Sequence, residues 1–367
     1  MTIGVVFGGP SPEHDISILT GLLALREVAR SRDAVGLYWT KSGDFVALPP
    51  TVEATDFVDG VPAGATPLTF KPGPGGGFVE EGGRFGREKA RPLEAVVVAT
   101  HGGPGEDGTL QGLFDLAGLA YTGPSVAGAA LGMDKWAFGA VVAAAGLPTL
   151  PRVLLDASTT SLPFPGPYIL KPRFGGSSIG IDVVADLDTA RARLATNTHL
   201  SRGCVVEPFR ADLFDVQIAV RTYPEVQLSA IEKPIRRTSG AEILNYRDKY
   251  VGGEGMVSAP RELPAVLPGD QASVIAQCAR TLVEVASVRG VARIDFLAND
   301  TELYVNEINT IPGSLSKHLF VEPPVSFDRL LNDLIGEATA RPAARYSSAG
   351  ADGSVLRGAG SIAAKLA

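Results

Sequence analysis

Four polar residues near the C-terminal end of the chain have side-chain types and a spacing that could do chemistry together. Arg293 and Asp295 lie two residues apart in VARIDF, and Glu307 and Asn309 lie two residues apart in NEIN. Because side chains alternate along a β-strand, two adjacent strands would bring Asp295, Glu307 and Asn309 together on one face. This all-oxygen set suits Mg²⁺ that also holds phosphate oxygens. The alternative is a β-hairpin with a solvated acidic end.

Two further groups beside this set could stabilise negative charge. Arg293 would stand next to the oxygen ligands, where its guanidinium could stabilise charge that develops in a transition state. Pro312 and Gly313 follow in TIPGSL and turn the chain, so that backbone N–H groups can face an anion. The sequence therefore predicts an anion-binding turn directly after the second strand.

A separate strand carries a lysine into a loop that is rich in glycine and serine. Residues 168–170 predict a short strand before Lys171, and RFGGSSIG follows with Ser177 and Ser178. Such a loop offers backbone N–H groups, hydroxyls and one positive charge to phosphates. It is not a Walker A motif, because GxxxxGK[ST] is absent, and the alternative is a mobile surface turn. Further on, VVEPF at residues 205–209 predicts a strand that runs into a hinge, where an adenine could pair with backbone groups.

The first hundred residues predict an α/β arrangement. A buried strand at residues 3–7 ends in GGPSPEH, and Asp15 is the predicted N-cap of the helix that follows. This arrangement places ligands at the carboxyl end of the strand, but the glycines do not match GxGxxG, so a dinucleotide site is not supported. Residues 51–91 predict short strands and turns without an assigned function. A second strand, residues 95–100, leads into HGGPGEDGTLQG; its His101 could orient a substrate carboxylate or hydrogen-bond its own loop, and the residue type alone favours the structural role.

Composition limits the classes of function. A chain of 367 residues predicts two or three domains, and 45% hydrophobic with 20% charged residues is typical of a globular protein. A net charge of −7 and a pI near 5.3 argue against nucleic acid or an anionic membrane as a partner. Cys204 and Cys278 predict reduced core residues of a cytoplasmic protein, and no signal peptide or bilayer-spanning run is visible. The polar residues 236–261 predict a lid over the site.

Several separated motifs converge on one family. Seven stretches match it in order and in approximate spacing: GGPSPEHDIS, HGGPGEDGTLQG, YTGPS with MDK, ILKPRFGGSSIG, NYRDKY, VARIDF and NEINTIPGSL. By these motifs the chain resembles the D-alanine–D-alanine ligase family of the ATP-grasp superfamily, from about residue 3 to residue 335. The resemblance implies an α/β fold, α+β in part, with a Rossmann-like N-terminal domain and two ATP-grasp lobes. The expected bounds are 1–123 for the first domain, 124–206 for the central lobe, 207–340 for the C-terminal lobe and 341–367 for a flexible tail.

The resemblance also implies which residues contact ligands, with ATP between the central and C-terminal lobes. The nucleotide is expected to contact Lys135, Lys171, Ser177, Ser178, Glu207, Pro208, Phe209 and Lys249. Two Mg²⁺ ions, with Mn²⁺ as the alternative, are expected on Asp295, Glu307 and Asn309. The amino acids are expected to contact Glu13, His101, Arg293, Gly313, Ser314 and His318. A hydrogen-bonded trio that ties the first domain, the phosphate loop and the lid together is matched by Glu13, Ser177 and Tyr250.

In that family, ATP phosphorylates the carboxylate of a first D-alanine, and the amine of a second D-alanine attacks the acyl phosphate. A carboxylate is a poor electrophile until one of its oxygens becomes a leaving group. By resemblance, Arg293 and the backbone N–H of Gly313 would stabilise the tetrahedral oxyanion. A tyrosine at Tyr250 is characteristic of the dipeptide-forming members. The resemblance implies a cytoplasmic homodimer in peptidoglycan synthesis, with small molecules as its other partners.

The nucleotide side of the chain departs from the family's pattern at two places. Gly175 stands in the phosphate loop where many members carry an acidic residue. Phe214 occupies the expected place of the acidic residue that holds the ribose, with Asp212 and Asp215 nearby. The ribose-binding residue is therefore not assigned.

The amino acid side departs from the pattern as well. Where a serine is expected for the carboxylate of the second amino acid, SLSKHL has His318, close to Ser314 and Ser316. This departure leaves open a ligase that joins a different amino acid pair, for instance in making a small natural product.

Overall fold

The structure is a computed structural model that describes residues 1–80, 87–235, 260–341 and 346–365. It is a mixed α/β protein with three β-sheets. The helices of the described residues are α1 (His14–Val28), α2 (Thr109–Ala117), α3 (Val126–Met133), α4 (Lys135–Ala144), α5 (Leu187–Thr196), α6 (Gln271–Val285), α7 (Phe327–Ala340) and α8 (Ser354–Arg357).

The first sheet has seven strands in the order β6-β5-β4-β3-β2-β1-β7. They are β1 (Thr2–Gly8), β2 (Ala34–Trp39), β3 (Phe45–Leu48), β4 (Thr66–Lys71), β5 (Gly77–Glu80), β6 (Lys89–Ala90) and β7 (Leu93–Val98). β1 pairs in parallel with β2 and β7, whereas the pairs from β2 to β6 are antiparallel. α1 packs against β1 and α7 against β7, which buries both apolar strands. The region 51–91 lengthens this sheet through β4, β5 and β6.

The loop between β1 and α1 places Glu13 at the start of the helix. The first helical hydrogen bond runs from the N–H of Ser17 to Glu13 O (2.9 Å), and α1 begins at His14. The prediction of Asp15 as the N-cap is wrong, because Asp15 lies inside the first turn. Glu13 therefore stands beyond the carboxyl end of β1, where α/β domains bind their ligands.

The second sheet has four antiparallel strands in the order β10-β9-β11-β8. They are β8 (Val153–Leu155), β9 (Tyr168–Pro172), β10 (Asp182–Val184) and β11 (Cys204–Pro208). Leu170 and Val206 face a core under α5. Because side chains alternate, Lys171 and Glu207 lie on the opposite face, which forms one wall of a cleft.

The third sheet has five antiparallel strands in the order β14-β13-β12-β15-β16. They are β12 (Phe214–Arg221), β13 (Gln227–Pro234), β14 (Arg261–Glu262), β15 (Val291–Ala298) and β16 (Leu303–Asn309). One face packs against α4 and α6 in an apolar core. On the other face, the register places Glu232 opposite Gln217, Gln217 opposite Asp295, and Asp295 opposite Glu307. A row of polar side chains thus crosses four strands on the side of the cleft.

The two cysteines lie in the interior of the protein, whereas the described C-terminal residues lie at its surface. Cys204 and Cys278 are buried free thiols, as expected for core residues. None of the helices in the described ranges is long and apolar enough to cross a membrane. Residues 346–365 of the predicted tail contain the short helix α8 and a 3₁₀ turn, Ala363–Lys365, with largely exposed side chains.

Candidate active site

A cleft between the sheets gathers most of the side chains that the sequence predicts to be functional. Its lining includes Glu13, His101, Lys135, Lys171, Ser177, Ser178, Glu207, Pro208, Phe209, Arg293, Asp295, Glu307, Asn309, Gly313 and His318. Ser314 is not part of the lining. Lys249 and Tyr250 lie outside the described residues, as do residues 236–259 of the predicted lid.

The three predicted metal ligands meet on the cleft face of β15 and β16. Asp295 lies opposite Glu307, and Nδ2 of Asn309 donates to Oδ2 of Asp295 over 3.1 Å. Arg293 donates to the same carboxylate through Nε (2.6 Å) and Nη2 (2.8 Å), and Nζ of Lys135 lies 3.3 Å from Oε2 of Glu307. In the part of the chain that the structure describes, no group of three or more His, Cys, Asp or Glu could hold a metal ion, so the amide of Asn309 is needed as the third donor. Two carboxylates and an amide on one face fit the oxygen ligands that Mg²⁺ prefers.

The buried carboxylate of Glu207 organises the cations on the second sheet. Its side chain is 1% exposed, and its oxygens form ion pairs with Nζ of Lys171 (2.7 Å) and Nε of Arg152 (2.8 Å). Nζ of Lys171 also donates to Oδ1 of Asn306 over 3.0 Å. Burial alone would raise the pKa of Glu207, but the two cations outweigh burial and hold this pKa below its usual range. Glu207 is therefore ionised and positions Lys171; the sequence did not single out Arg152, because no motif surrounds it.

The two residues of the hinge after Glu207 have no backbone N–H available to donate to an adenine. Pro208 has no N–H, and the N–H of Phe209 donates to Pro167 O over 2.8 Å. Both residues line the cleft, and the N–H of Phe209 is already used within the protein.

The glycine- and serine-rich loop after β9 is held by contacts with other elements. Nζ of Lys135 donates to Gly175 O over 2.5 Å, and Oγ of Ser177 donates to the carboxylate of Glu13. Ser177 and Ser178 have φ of 53° and 59°, in the left-handed region that is uncommon for residues other than glycine. The surrounding contacts hold this conformation, and two members of the predicted trio meet in it.

His101 lies in the wall contributed by the first sheet. It is 4% exposed, and its Nε2 lies 2.8 Å from Oγ1 of Thr20 in α1. Burial lowers the pKa of His101 to about 4; a hydrogen bond with the backbone of Ile311 opposes this shift, and the charge of Arg293 adds to it. The ring is therefore neutral near pH 7. It joins its loop to α1 and also lines the cleft.

Glu106 is a buried carboxyl group of the cleft that the sequence did not single out. Its oxygens accept hydrogen bonds from the N–H groups of Gly102 (2.9 Å) and Ile311 (3.2 Å), which connects the loop after β7 to the turn after β16. Burial raises the pKa of Glu106 to about 8, and the charge of Glu13 adds to this shift. The residue is visible in HGGPGEDG, but an acidic residue in a glycine-rich loop predicts a solvated turn.

The chain matches two models of known protein families. The family model of the D-ala D-ala ligase N-terminus matches residues 2–124, and the model of the D-ala D-ala ligase C-terminus matches residues 140–336. The chain belongs to the D-alanine–D-alanine ligase family. A relative, the D-alanine–D-alanine ligase of Nocardia farcinica, is 32% identical over 365 residues, which cover 92% of this chain and 97% of the relative.

Solved structures of D-alanine–D-alanine ligases and related ligases share the fold of this ligase family member. The D-alanyl-alanine synthetase A of Vibrio cholerae superposes with a TM-score of 0.77 at 20% identity, covering 93% of this chain and 99% of the other. The VanG D-Ala:D-Ser ligase of Enterococcus faecalis gives 0.72 at 24% identity, covering 92% and 99%. These likenesses confirm the predicted ATP-grasp fold.

This ligase family member has its own arrangement where the second amino acid is expected. Gly313 and His318 line the cleft, whereas Ser314 and Ser316 do not. Ser316 is fully buried, and the N–H of Ser314 donates to Oγ1 of Thr20 over 3.1 Å. Of the three candidates near the expected carboxylate site, His318 is therefore the one that faces the cleft.

The acidic residues near the expected ribose position differ in what they contact. Asp215 lines the cleft. Asp212 is paired with Arg210 at 2.7 Å, and the ring of Phe214 packs against Nζ of Lys233, 3.9 Å from the ring centroid. Asp215 is therefore the carboxylate among the three positions that faces the space for a nucleotide.

Proposed function

We propose that this chain joins two molecules of D-alanine to form D-alanyl-D-alanine, with conversion of ATP to ADP and phosphate. The observation that carries the proposal is the polar face of β15 and β16, where Arg293, Asp295, Glu307 and Asn309 meet in the cleft. Membership of the D-alanine–D-alanine ligase family over most of the chain supports it.

The first half-reaction activates the donor amino acid. An oxygen of its carboxylate attacks the γ-phosphorus of ATP, ADP leaves, and an acyl phosphate forms. Lys135 and Lys171 stabilise negative charge on the phosphates. Asp295, Glu307 and Asn309 would hold Mg²⁺, which supplies further charge neutralisation on the phosphate oxygens. Position and charge dominate this step, because phosphoryl transfer needs little covalent chemistry from the protein.

The second half-reaction forms the peptide bond. The amine of the acceptor attacks the acyl carbon, a tetrahedral oxyanion forms, and phosphate leaves as the carbonyl is restored. The guanidinium of Arg293 is already oriented by two hydrogen bonds to Asp295, and the N–H of Gly313 is the second proposed oxyanion donor. Glu13, which accepts a hydrogen bond from Ser177, would hold the ammonium group of the donor.

Finer assignments belong to the same proposal. They are two Mg²⁺ ions or Mn²⁺ in their place, Tyr250 as the third member of the trio, Lys249 as a nucleotide contact, and the domain bounds derived from the motifs. A homodimer, a cytoplasmic location and a role in peptidoglycan precursor synthesis are further parts of it.

The test is to incubate purified protein with ATP, Mg²⁺ and single or paired amino acids, to measure phosphate release, and to identify products by mass. We expect phosphate release with D-alanine alone and a product with the mass of the dipeptide, with L-alanine as the control. Because His318 stands where a serine is expected, the second candidate is the same chemistry on a different amino acid pair. If D-alanine releases no phosphate and another pair does, the second candidate replaces the first; if no amino acid releases phosphate, both are wrong.

A further inference from the structure

A buried arginine stands behind the wall of the cleft that the second sheet forms. The side chain of Arg152 is 5% exposed, and among the residues that the structure describes it is absent from the lining of the cleft. Arg152 directly precedes β8, in which Val153 lies opposite Val206 of β11. The antiparallel register therefore brings Arg152 beside Glu207, and Nε of Arg152 lies 2.8 Å from Oε1 of Glu207. Arg152 can act on a ligand only through the residues that it binds.

Arg152 also binds the backbone of two other elements of the cleft. Its Nη1 donates to Lys135 O over 2.9 Å at the start of α4, and its Nη2 donates to Asn306 O in β16. Lys135 is a proposed phosphate ligand, and Asn306 directly precedes Glu307, a proposed Mg²⁺ ligand. One buried guanidinium thus connects β11, α4 and β16, each of which carries part of the proposed nucleotide site.

Helix α4 has its smallest residue where this arginine passes. Gly139 lies in the interior of α4, where glycine is less favourable than alanine. A Cβ at Gly139 would lie 2.6 Å from Cδ and 2.9 Å from Nη1 of Arg152. A larger residue at this position would therefore displace the arginine, and the glycine leaves the space that the buried guanidinium occupies.

The charges around Glu207 do not cancel. Glu207 is ionised, and its Oε2 lies 2.7 Å from Nζ of Lys171 while its Oε1 faces Arg152. With Lys171 as its sole cation, the carboxylate would form a neutral pair. With Arg152 as well, the three side chains carry one net positive charge, and Lys171 is the cation of the three that lines the cleft. Because phosphate groups are anionic, a positive cluster in a poorly hydrated wall attracts them more strongly than a neutral pair does.

We propose that Arg152 is a positioning residue for the nucleotide, which binds one oxygen of Glu207 so that Lys171 faces the phosphates of ATP from a cluster with one net positive charge. Through the carbonyl groups of Lys135 and Asn306, Arg152 also fixes α4 and β16 relative to this cluster. The inference rests on the proposed ligase function and deepens it, since it assigns a role to an arginine outside every motif of the chain.

Binding of nucleotide without turnover tests this role. The dissociation constant of a non-hydrolysable ATP analogue with Mg²⁺ is measured by isothermal titration calorimetry for the wild-type protein, Arg152→Met and Arg152→Lys. Adenosine, which has no phosphate group, is measured by competition. The matched control is Arg221→Met, because the side chain of Arg221 is 9% exposed and paired with the carboxylate of Asp333, but joins β12 to α7.

We expect Arg152→Met to weaken binding of the ATP analogue by about tenfold and to change adenosine binding by less than about twofold. Arg152→Lys, whose ammonium group can still pair with Glu207, should stay within about threefold of the wild-type protein. Arg221→Met should leave both dissociation constants within about twofold, although urea unfolding should show that it destabilises the protein as Arg152→Met does. In turnover, Arg152→Met should raise the KM for ATP by about tenfold and leave the KM for D-alanine unchanged.

Equal weakening of the ATP analogue and of adenosine by Arg152→Met would overturn the inference, since Arg152 would then be structural. An unchanged dissociation constant of the analogue would overturn it as well, and so would Arg152→Lys that binds as weakly as Arg152→Met. If Arg152→Met does not fold, Gly139→Ala decides the question. Its added Cβ displaces the guanidinium from Glu207, so binding of the ATP analogue should weaken by at least about threefold, and unchanged binding would contradict the inference.

The same measurements separate this inference from the proposed function. A wild-type protein that binds the ATP analogue but releases no phosphate with any amino acid would reject the ligase function, while the dissociation constants would still decide the role of Arg152. A wild-type protein that binds no ATP analogue would reject both.

Discussion

Two buried carboxylates in one cleft, those of Glu207 and Glu232, each bind more than one donor, but their partners differ. Glu207 forms ion pairs with Lys171 and Arg152, and its side chain is 1% exposed. Phosphate groups carry the same charge whatever amino acid is joined. A pair of cations held by one buried carboxylate suits that ligand.

Glu232 is bound by Arg261 and by His318, a side chain with two distinct ring nitrogens. The proposed ligand at this end is the acceptor, whose identity distinguishes one ligase from another. The comparison shows that two cations bind the carboxylate at one end of the cleft, whereas an amide, a guanidinium and an imidazole bind the carboxylate at the other end.

The largest effect on activity is expected at the proposed Mg²⁺ site, because formation of the acyl phosphate precedes formation of the peptide bond. Glu307→Ala removes one of the three oxygen ligands proposed for Mg²⁺, so dipeptide formation and phosphate release should both fall by at least about 100-fold. Phosphate release measures the loss. The matched control is Glu284→Ala, an exposed glutamate on α6, which should stay within about twofold of the wild-type rate. Turnover of Glu307→Ala close to the wild-type rate would show that the metal assignment is wrong.

Effects of intermediate size on the KM values should distinguish the cleft end at Glu207 from the cleft end at Glu232. Glu207→Gln leaves Lys171 and Arg152 buried without their counter-charge, so the free energy of unfolding should fall by about 3 kcal/mol. The KM for ATP should rise about tenfold while the KM for the acceptor changes little. Glu232→Gln should show the reverse pattern of KM values. Urea unfolding and two-substrate kinetics measure both variants, and a rise in the same KM for both would break the comparison.

The smallest effect concerns Glu106, which connects the loop after β7 to the turn that precedes the acceptor end. Its pKa is raised from 4.5 to about 8, so the folded protein keeps a proton that the unfolded chain loses. The stabilising contribution of this proton is complete below pH 4.5 and is lost as the pH rises through 8. Glu106→Gln removes this titration, so the free energy of unfolding of the wild-type protein relative to that of Glu106→Gln should fall by on the order of 2 kcal/mol between pH 5 and pH 8.

Urea unfolding at pH 5, 6.5 and 8 measures this difference, with Glu284→Gln as a control that should show none. A difference that does not grow with pH would mean that Glu106 is ionised in the folded protein. Glu106 would then resemble Glu207, a buried carboxylate whose pKa is held below its usual range by two cations.

The sequence predicted that the side chains of the proposed metal ligands meet, because their geometry follows from a local rule. Two residues of separation place Asp295 and Arg293 on one face of β15, and a hairpin brings Glu307 to the same face. No local rule pairs Glu232 with His318, which lie 86 residues apart, and neither stands in a motif that predicts the other. Long-range ion pairs of this kind become visible only when the sheet register is known.

The fold was predictable to a similar degree. Apolar strands and glycine turns predicted the α/β arrangement, and the ATP-grasp fold followed from the motifs. The start of α1 was misjudged, since Asp15 has the residue type of an N-cap while the hydrogen bond of Ser17 selects Glu13. Intrinsic preference at one position was outweighed by the turn that precedes it.

The central claim is that a carboxylate is activated by taking phosphate from ATP, and oxygen transfer tests it most directly. D-alanine labelled with ¹⁸O in both carboxylate oxygens is incubated with ATP, Mg²⁺ and the protein, and the products are examined by mass spectrometry. We predict that each released phosphate carries one ¹⁸O and that the other stays in the carbonyl of the new peptide bond. Phosphate without the label, or label in AMP, would contradict the account.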